Sequence, residues 1–153
     1  MGLKTVTQLD VFLKNTSGQL MKVTKWLYKK KIQILAHTIG VQGDFGTLKI
    51  IVREPEKALK YLKKKNIMVT PKKVFCVKFK SEPGGLHRLA STLGAENIDI
   101  KYIYGFILLN NESMQVIEVD DQNMEKTAEI FEKEGIKLYE PESIYKLDPS
   151  CDS

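Results

Sequence analysis

Apolar and polar residues alternate along the first segment of the chain, and the spacing then changes. Leu9, Val11 and Leu13 recur at every second position, which predicts a β-strand with one buried face. After the turn-forming residues 15–18, apolar residues recur every three or four positions over residues 19–30, which predicts an amphipathic helix. The apolar stripe of this helix consists of Leu20, Val23 and Leu27.

A hairpin and a second helix complete this first pattern. Alternating apolar positions in residues 32–36 and 48–52 flank a turn-forming stretch, so they predict two strands joined by a short turn. Pro55 suits the first turn of a helix whose apolar stripe includes Ala58 and Leu62. A short strand follows. The predicted order is therefore strand, helix, strand, strand, helix, strand.

The pattern of residues 9–34 recurs 66 residues further along the chain without a gap, and the same register places Gly18 on Gly84. The hairpin and the second helix follow in the second copy with about two or three extra residues. Because the apolar spacing changes at the same points in both stretches, we predict two copies of one structural unit. The superimposed apolar pairs are Leu9 and Phe75, Val11 and Val77, Leu13 and Phe79, Leu20 and Leu86, Val23 and Leu89, Leu27 and Leu93, Ile32 and Ile98, and Ile34 and Ile100.

Each copy has the order of a split βαβ motif, in which right-handed crossovers put both helices on one face of a four-stranded antiparallel sheet. The predicted fold class is α+β, with two ferredoxin-like βαββαβ units packed together. We assign residues 5–70 to the first unit, residues 71–146 to the second, and residues 147–153 to a flexible C-terminal tail. The connection at residues 70–73 is short, so we expect the units to form one rigid body.

The sheet face without helices also carries apolar side chains in both copies. A unit of about 70 residues buries only about two thirds of its extended surface, so a cover by the other copy or by a second chain is expected. We predict a homodimer. The residues concerned are Phe12, Leu35, Ile39, Ile51 and Met68 in the first copy, and Ile103, Ile107 and Val116 in the second.

Charge divides the chain into halves of opposite sign. Residues 1–75 hold 16 Lys and Arg against 4 acidic residues, and residues 76–153 hold 8 against 15, so the halves carry +12 and −7. A positive half could bind nucleic acid, but attraction between halves or between chains is the simpler interpretation. Specific readers of nucleic acid usually rely on Arg, whereas 22 of the 24 basic residues here are Lys.

The composition is that of a packed globular chain, with 42% hydrophobic and 28% charged residues. No apolar stretch approaches the roughly 18 residues of a membrane-spanning helix, and no signal region is evident, so we expect a cytoplasmic protein without a membrane partner. His37 and His87 are the only histidines, and motifs for nucleotides, metals and activated nucleophiles are missing from the sequence. We therefore expect no enzyme activity, no metal and no cofactor.

The turn and helix of the second copy resemble the ACT domain. The resemblance rests on residues 77–86, which read Val-Lys-Phe-Lys-Ser-Glu-Pro-Gly-Gly-Leu, and on residues 95–100, and the order βαββαβ matches as well. ACT domains are small-molecule sensors, usually of amino acids, in regulatory parts of enzymes such as aspartokinase and in the acetolactate synthase small subunit. The resemblance implies a stand-alone tandem ACT protein that binds an amino acid or related metabolite and regulates a metabolic enzyme encoded separately.

The turn of the second copy can bind an α-carboxylate through its backbone. Pro83 fixes φ near the helix start, and Gly84 and Gly85 lack the Cβ that would keep a ligand from the chain. The first-turn amides and the helix dipole both favour an anion at this position. The candidate ligand-binding residues of this turn are Ser81, Glu82, Pro83, Gly84, Gly85 and Leu86.

The resemblance also implies that the ligand lies between this turn, the start of the second strand and a neighbouring ACT unit. This adds Asn97, Ile98, Tyr102 and Tyr104 to the candidates. Asn97 offers both a donor and an acceptor, so it can bind an ammonium or an amide. Other interpretations stay open, because a glycine pair suits any tight turn, Asn97 could only end a helix, and Tyr102 could be core packing.

The first copy departs from this turn sequence. It keeps Gly18 but has Ser17 where the second copy has Pro83, and Gln19 where the second copy has Gly85. Its site could be degenerate, could bind a different ligand, or could form a wall of the pocket in the second copy. The weaker ligand-binding candidates are Asn15, Ser17, Gly18, Gln19, Leu20 and His37.

An RNA-binding module is the alternative function, because RNA-recognition domains share the ferredoxin-like topology and the first half of the chain is basic. Such a module would stack bases on aromatic side chains of the open sheet face. The characteristic aromatic pattern is missing, and residues 102–106 resemble it only faintly. We therefore favour an amino-acid sensor over a nucleic-acid partner.

Overall fold

A computed structural model describes residues 2–108 and 111–147 of the chain. Within these residues the elements follow the predicted order, and a short C-terminal helix is added. The strands and helices are β1 Val6–Lys14, α1 Gln19–Lys29, β2 Ile34–Gln42, β3 Phe45–Val52, α2 Pro55–Lys64, β4 Val69–Lys80, α3 Gly85–Ala95, β5 Ile100–Ile107, β6 Glu112–Val119, α4 Met124–Lys133, β7 Lys137–Leu138 and α5 Pro141–Tyr145.

The chain forms two compact units, each built around one repeat. The first unit comprises residues 7–72 and 142–147, and the second comprises residues 2–6 and 73–141. Each terminal segment thus belongs with the repeat that is distant in sequence. In the first unit the Thr7 amide donates to Tyr145 Oη at 2.8 Å, and in the second Lys4 Nζ lies 2.5 Å from Glu140 Oε1. The tail predicted at residues 147–153 lies almost wholly outside the described residues.

The predicted connection between the repeats is part of a strand. β4 runs through residues 70–73, where the sequence predicted a break between two strands. Its residues up to Lys72 belong to the first unit, and those from Lys73 onward belong to the second. Pro71 is accommodated within the strand.

The first unit is a sheet with the strand order β2-β3-β1-β4, covered on one face by α1 and α2. Leu9 stands opposite Ile50 and Val11 opposite Leu48, so alternate positions of β1 and β3 face the helices together. The buried core consists of Leu9, Val11, Leu13, Val23, Leu27, Ile32, Leu48, Ile50, Val52, Ala58, Leu62 and Val69.

The second unit repeats this arrangement with the order β5-β6-β4-β7 and helices α3 and α4. Phe75 stands opposite Ile117 and packs edge-on against Phe131 of α4, with ring centroids 5.4 Å apart. The structure therefore confirms the predicted α+β class with two βαββαβ units. The core consists of Phe75, Val77, Leu89, Leu93, Ile98, Ile117, Val119, Met124, Ile130 and Phe131.

Two β-bulges change which side chains of the outer strands face the helices. The register of β2 against β3 shifts between Ile34 and Ala36, and the register of β5 against β6 shifts between Ile100 and Tyr102. An extra residue in one strand inverts the alternation beyond it, because the side-chain period of a strand is two.

The predicted helix-free face was therefore wrong for Ile39, Ile103 and Ile107. Ile39 stands opposite Leu48 and Ile103 opposite Ile117, and both partners belong to the helix-facing cores. Directly opposed residues of an antiparallel pair share a face. A continuous alternation cannot reveal a bulge, so the sequence assigned these three residues to the wrong side.

A buried ion pair lies on the helix-free face of the first unit. Lys49 stands directly opposite Asp10, and Lys49 Nζ is 2.8 Å from Asp10 Oδ2, with side-chain exposures of 3% and 7%. Gln8 Nε2 donates to the other carboxylate oxygen at 2.8 Å. Burial of two charges is repaid only when they are close and further hydrogen-bonded, as here. The sequence analysis did not predict this pair.

The four long helices end in the same way. The second residue beyond each helix has a left-handed backbone, and the isoleucine after it donates its amide to the carbonyl five residues earlier. This is a Schellman end, which satisfies a last-turn carbonyl. The left-handed residues are Lys31, Asn66, Asn97 and Gly135, with φ of 54°, 57°, 56° and 66°.

Candidate ligand-binding site

The strand-to-helix turn of the second unit leaves the start of α3 open. Gly84 is the N-cap with φ of 88°, and no side chain in the described part of the protein caps the helix. The Gly85 amide donates to Glu82 O at 3.1 Å, and the Arg88 amide makes the first intrahelical bond, to Gly84 O at 2.9 Å. The two amides between them, of Leu86 and His87, precede the helical ladder and can donate to an anion.

Different structural requirements favour glycine at the two glycine positions of this turn. A Cβ at Gly84 would meet nothing within 4 Å, but the left-handed φ disfavours any other residue. A Cβ at Gly85 would lie 3.0 Å from the Phe79 ring and 3.3 Å from Lys80 O. Gly85 therefore lets α3 pack closely on β4, whereas Gly84 leaves the turn accessible from solvent.

Asn97 and Ile98 lie at the other end of α3. The helix has eleven residues, so its ends are about 16 Å apart at 1.5 Å per residue. Asn97 is the exposed left-handed residue that ends the helix, and Ile98 is buried in the core. Within one unit these residues do not adjoin the Gly84 turn.

Tyr102 and Tyr104 lie on β5, after the bulge. Tyr102 stands opposite Glu118, and Tyr104 stands opposite Val116, which alternates with the core residue Ile117. The register therefore places both tyrosines on the helix-free side, while the Gly84 turn belongs to the helical side. Tyr102 remains 42% exposed and Tyr104 is half-buried.

A groove of about 530 Å³ opens beside α3 in the second unit. Its walls are the end of β4, the first two turns of α3, and the segment that leaves α4 and enters β7. Among the predicted site residues, Glu82 and Gly85 line this groove. Its charged lining consists of Lys78, Lys80, Arg88 and Lys137, together with Glu82, Glu112 and Glu134.

One pair of these charges is neutralised within the protein. Lys78 Nζ lies 3.1 Å from Glu112 Oε1. Within the described residues, Arg88, Lys80 and Glu134 form no ion pair. Both signs of charge therefore remain available along the groove, next to the apolar surface of β4.

On the helix-free side of β4, Lys78 also approaches an aromatic ring. Its Nζ lies 5.5 Å from the ring centroid of Tyr139. Burial raises the pKa of Tyr139, and the positive charge of Lys78 opposes that rise. Burial also raises the pKa of the neighbouring Cys76 thiol to about 12. Neither group is ionised at neutral pH, so neither supplies a nucleophile here.

Arg88 and Glu134 line the groove but were not among the residues predicted from the sequence. Arg88 lies one helical turn after Gly84 and is the single Arg in the second half of the sequence, which was a usable signal. Its neighbour in the groove, Thr92, follows four residues later on the same side of α3. Glu134 lies about 50 residues from the turn in sequence, and only the packing of α4 and β7 brings it to the groove.

The turn of the first unit has the same backbone but more internal contacts. Gly18 has φ of 86°, and the Lys22 amide donates to its carbonyl at 3.0 Å. Asn15 Nδ2 donates to Gly43 O at 3.0 Å, which ties the turn to the β2–β3 hairpin. His37 is exposed on β2, opposite Ile50. The remaining weaker candidates are exposed or half-buried: Ser17, Gln19 and Leu20.

The described residues contain no group of three or more His, Cys, Asp or Glu side chains that could hold a metal ion. No helix among them is sufficiently long and apolar to cross a bilayer.

Comparison with solved structures places this fold among known ones. Protein BT0572 from Bacteroides thetaiotaomicron is 35% identical, with a TM-score of 0.86 over 95% of this chain and 99% of that one. The regulatory subunits of aspartate kinase from Thermus thermophilus and Thermus flavus are each 14% identical, with TM-scores of 0.61 and 0.58 over 86% of this chain and 93% of theirs. At that identity the likeness is one of fold.

Comparison by sequence gives the family. No protein with a curated description matches the chain. The sequence profile described as an ACT domain pair matches residues 4–147, which include both repeats and nearly the whole chain. Together with the two βαββαβ units and the glycine turn before α3, this match shows that the chain belongs to the ACT domain pair family.

Proposed function

We propose that this chain is a non-catalytic regulatory protein that binds a small amino acid, or a related metabolite, at the Gly84 turn. The open start of α3 carries the proposal, because Gly84 is left-handed and no described side chain caps the helix. A carboxylate suits this position, since it can accept from the first-turn amides and lies at the positive end of the helix dipole.

The groove beside the turn adds side-chain partners for both the carboxylate and the ammonium group of an amino acid. Arg88 carries a planar guanidinium that can hold a carboxylate through two parallel hydrogen bonds. Glu82 and Glu134 line the same groove and can accept hydrogen bonds from an α-ammonium group. Adjacent groups of both signs favour a zwitterion over a ligand with a single charge.

Regulation fits this chemistry better than catalysis. The Cys76 thiol stays protonated at neutral pH because burial raises its pKa to about 12. His87 and Ser91 form an exposed pair on α3, but Nε2 and Oγ are 3.4 Å apart. The two residues are four positions apart on α3, which is the ordinary spacing of a side-chain contact along one helix face.

We further propose that the protein is a homodimer in which a second copy completes the site. Asn97 lies about 16 Å from Gly84 within one unit, so a ligand cannot touch both there. In a dimer, Asn97, the backbone at Ile98, and the rings of Tyr102 and Tyr104 can approach the turn of the partner. Binding would then favour one arrangement of the paired ACT units over another.

The partner of such a sensor would be a metabolic enzyme encoded separately, in the cytoplasm. The solved Thermus proteins with this fold are regulatory subunits of aspartate kinase, and the analogy of fold supports a regulatory role here. The chemistry of the groove selects an amino-acid class of ligand and does not select one amino acid.

A thermal-shift screen of the twenty amino acids tests the proposal. A ligand at 100 times its Kd should stabilise the protein by about 2.7 kcal/mol. Arg88→Gln should reduce the shift, because it removes a side-chain partner of the carboxylate without touching the core. Lys133→Gln is the matched control, since Lys133 is exposed on α4 outside the groove. A flat response of the wild-type protein to the whole panel, or an undiminished response of Arg88→Gln, would contradict the proposed site.

A further inference from the structure

The helices of the first unit carry a continuous row of lysines. On α1 the lysines recur three and four residues apart, and on α2 four residues apart, so they follow the outer side of each helix. α1 contains no acidic residue at all. We call this set of exposed residues the lysine face: Lys22, Lys25, Lys29, Lys60 and Lys64.

The charge of the lysine face is not cancelled by its own unit. In the part of the chain that the structure describes, the ion pair on these helices joins Lys57 to Glu54 at 3.3 Å, one turn away from the face. None of the five lysines of the face takes part in an ion pair there. An exposed row of like charges is destabilising by itself and is relieved by a surface of opposite charge.

Aromatic rings hold neighbouring ammonium groups in place at the ends of these helices. Trp26 and Tyr61 pack edge to face with centroids 6.3 Å apart. Lys29 and Lys65 lie over the Trp26 ring at 4.8 and 4.4 Å, and Lys30 lies over Tyr61 at 4.9 Å. Such contacts orient the ammonium groups, but an aromatic ring does not neutralise their positive charge.

The helix α4 of the second unit presents the opposite charge. Its outer side carries Glu125, Glu129 and Glu132, all exposed and spaced four and three residues apart, which we call the glutamate face. The adjacent Lys126 is engaged by Glu96, with Nζ 3.7 Å from Oε2. The glutamate face therefore keeps a net negative charge.

We infer that the lysine face of one copy binds the glutamate face of a second copy. Each chain carries both faces, so a two-fold dimer in which they meet contains two equivalent contacts. This inference rests on the homodimer proposed above and is independent of amino-acid binding. It adds a charged contact to the one proposed at the Gly84 turn, and electrostatic complementarity selects it.

A polyanion such as RNA fits the lysine face less well. Single-stranded nucleic acid binds where aromatic rings are open for base stacking. Here lysine side chains lie over both Trp26 and Tyr61. In addition, every copy of the chain carries one glutamate face on α4 for each lysine face, so a second copy always offers a surface of opposite charge.

Charge reversal of each face tests the inference by sedimentation equilibrium of the full chain. The variants are Lys25→Glu/Lys60→Glu/Lys64→Glu and Glu125→Lys/Glu129→Lys/Glu132→Lys. Each alone should dimerise at least ~100-fold more weakly, because like charges then face each other. An equimolar mixture should recover the dimer, since both contacts of the mixed pair are again opposite in charge. Wild-type dimerisation should weaken as salt shortens the Debye length from about 10 Å at 0.1 M to about 3 Å at 1 M.

The matched control is Lys4→Glu/Lys14→Glu/Lys146→Glu, which makes the same change in net charge at exposed positions outside α1, α2, α4 and the groove, and it should dimerise like the wild type. Reversal variants that dimerise as the wild type does would overturn the choice of faces while leaving the homodimer intact. A wild-type protein that is monomeric at low salt would overturn both. Binding of a single-stranded RNA oligonucleotide that is lost only in the lysine variant, with dimerisation unchanged, would assign the face to nucleic acid instead. The amino-acid thermal shift, measured on the same variants, reports separately on the ligand site.

Discussion

The turns at Gly18 and Gly84 have the same backbone and different surroundings. Their φ values are 86° and 88°, and each glycine carbonyl accepts from the amide four residues later, at 3.0 and 2.9 Å. The next residue is a half-buried Gln19 in the first unit and a buried Gly85 in the second. The repeated sequence pattern therefore gives both turns the same backbone conformation, whereas the side chain next to each glycine determines what the turn can bind.

The helix-free faces differ in the same sense. Asp10 and Cys76 occupy equivalent positions in the 66-residue register. Asp10 pairs with the buried Lys49, whereas Cys76 is a protonated thiol opposite Val116. The first unit therefore has a buried ion pair at the position where the second unit has a thiol against an apolar side chain.

Removing one partner of the buried ion pair should cause the largest loss of stability. Lys49→Met leaves the Asp10 carboxylate buried without its cation, which should lower the free energy of unfolding by about 3–5 kcal/mol. Urea denaturation followed by circular dichroism measures the change. The double variant Asp10→Leu/Lys49→Met also removes the unpaired carboxylate and should therefore be more stable than Lys49→Met. A loss below about 1 kcal/mol in Lys49→Met would show that the ion pair does not make the stability of the first unit depend on charge.

The residue after each turn glycine should give the next largest difference. Gly85→Ala places a methyl group 3.0 Å from the Phe79 ring, so it should cost about 1–3 kcal/mol through overpacking. Gln19→Ala changes a half-buried residue at the start of α1 and should stay within about 0.5 kcal/mol. Thermal unfolding of the two variants side by side tests this asymmetry. Equal costs would contradict the closer packing of α3 on β4.

The turn glycines themselves should behave alike. Gly18→Ala and Gly84→Ala each force a Cβ into the left-handed region, which costs about 1 kcal/mol, and neither Cβ would meet another group closer than 3.8 Å. Their denaturation midpoints should therefore fall by similar amounts. A clear difference between the two would show that the turns are not equivalent despite their matching φ values.

The fold was largely readable from the sequence, and the site only in part. The repeat of apolar positions located both units and both turn glycines, because a strand and a helix impose different periods. The bulges in β2 and β5 were not readable, so Ile39 and Ile103 were assigned to the wrong face. Asn97 was nominated for ligand binding, but in its own unit it ends α3, about a helix length from Gly84.

By itself, the sequence determined the order of strands and helices, the two-fold repetition, the glycine turn and the division of charge between the halves. These are local properties, since periodicity and backbone preference act over a few residues. Only the tertiary structure decided which distant residues share a groove or a contact: Glu134 and Arg88 line one groove, and Lys49 lies against Asp10 across two strands. Such contacts depend on register and packing, which a single bulge can invert without any change in the pattern of the sequence.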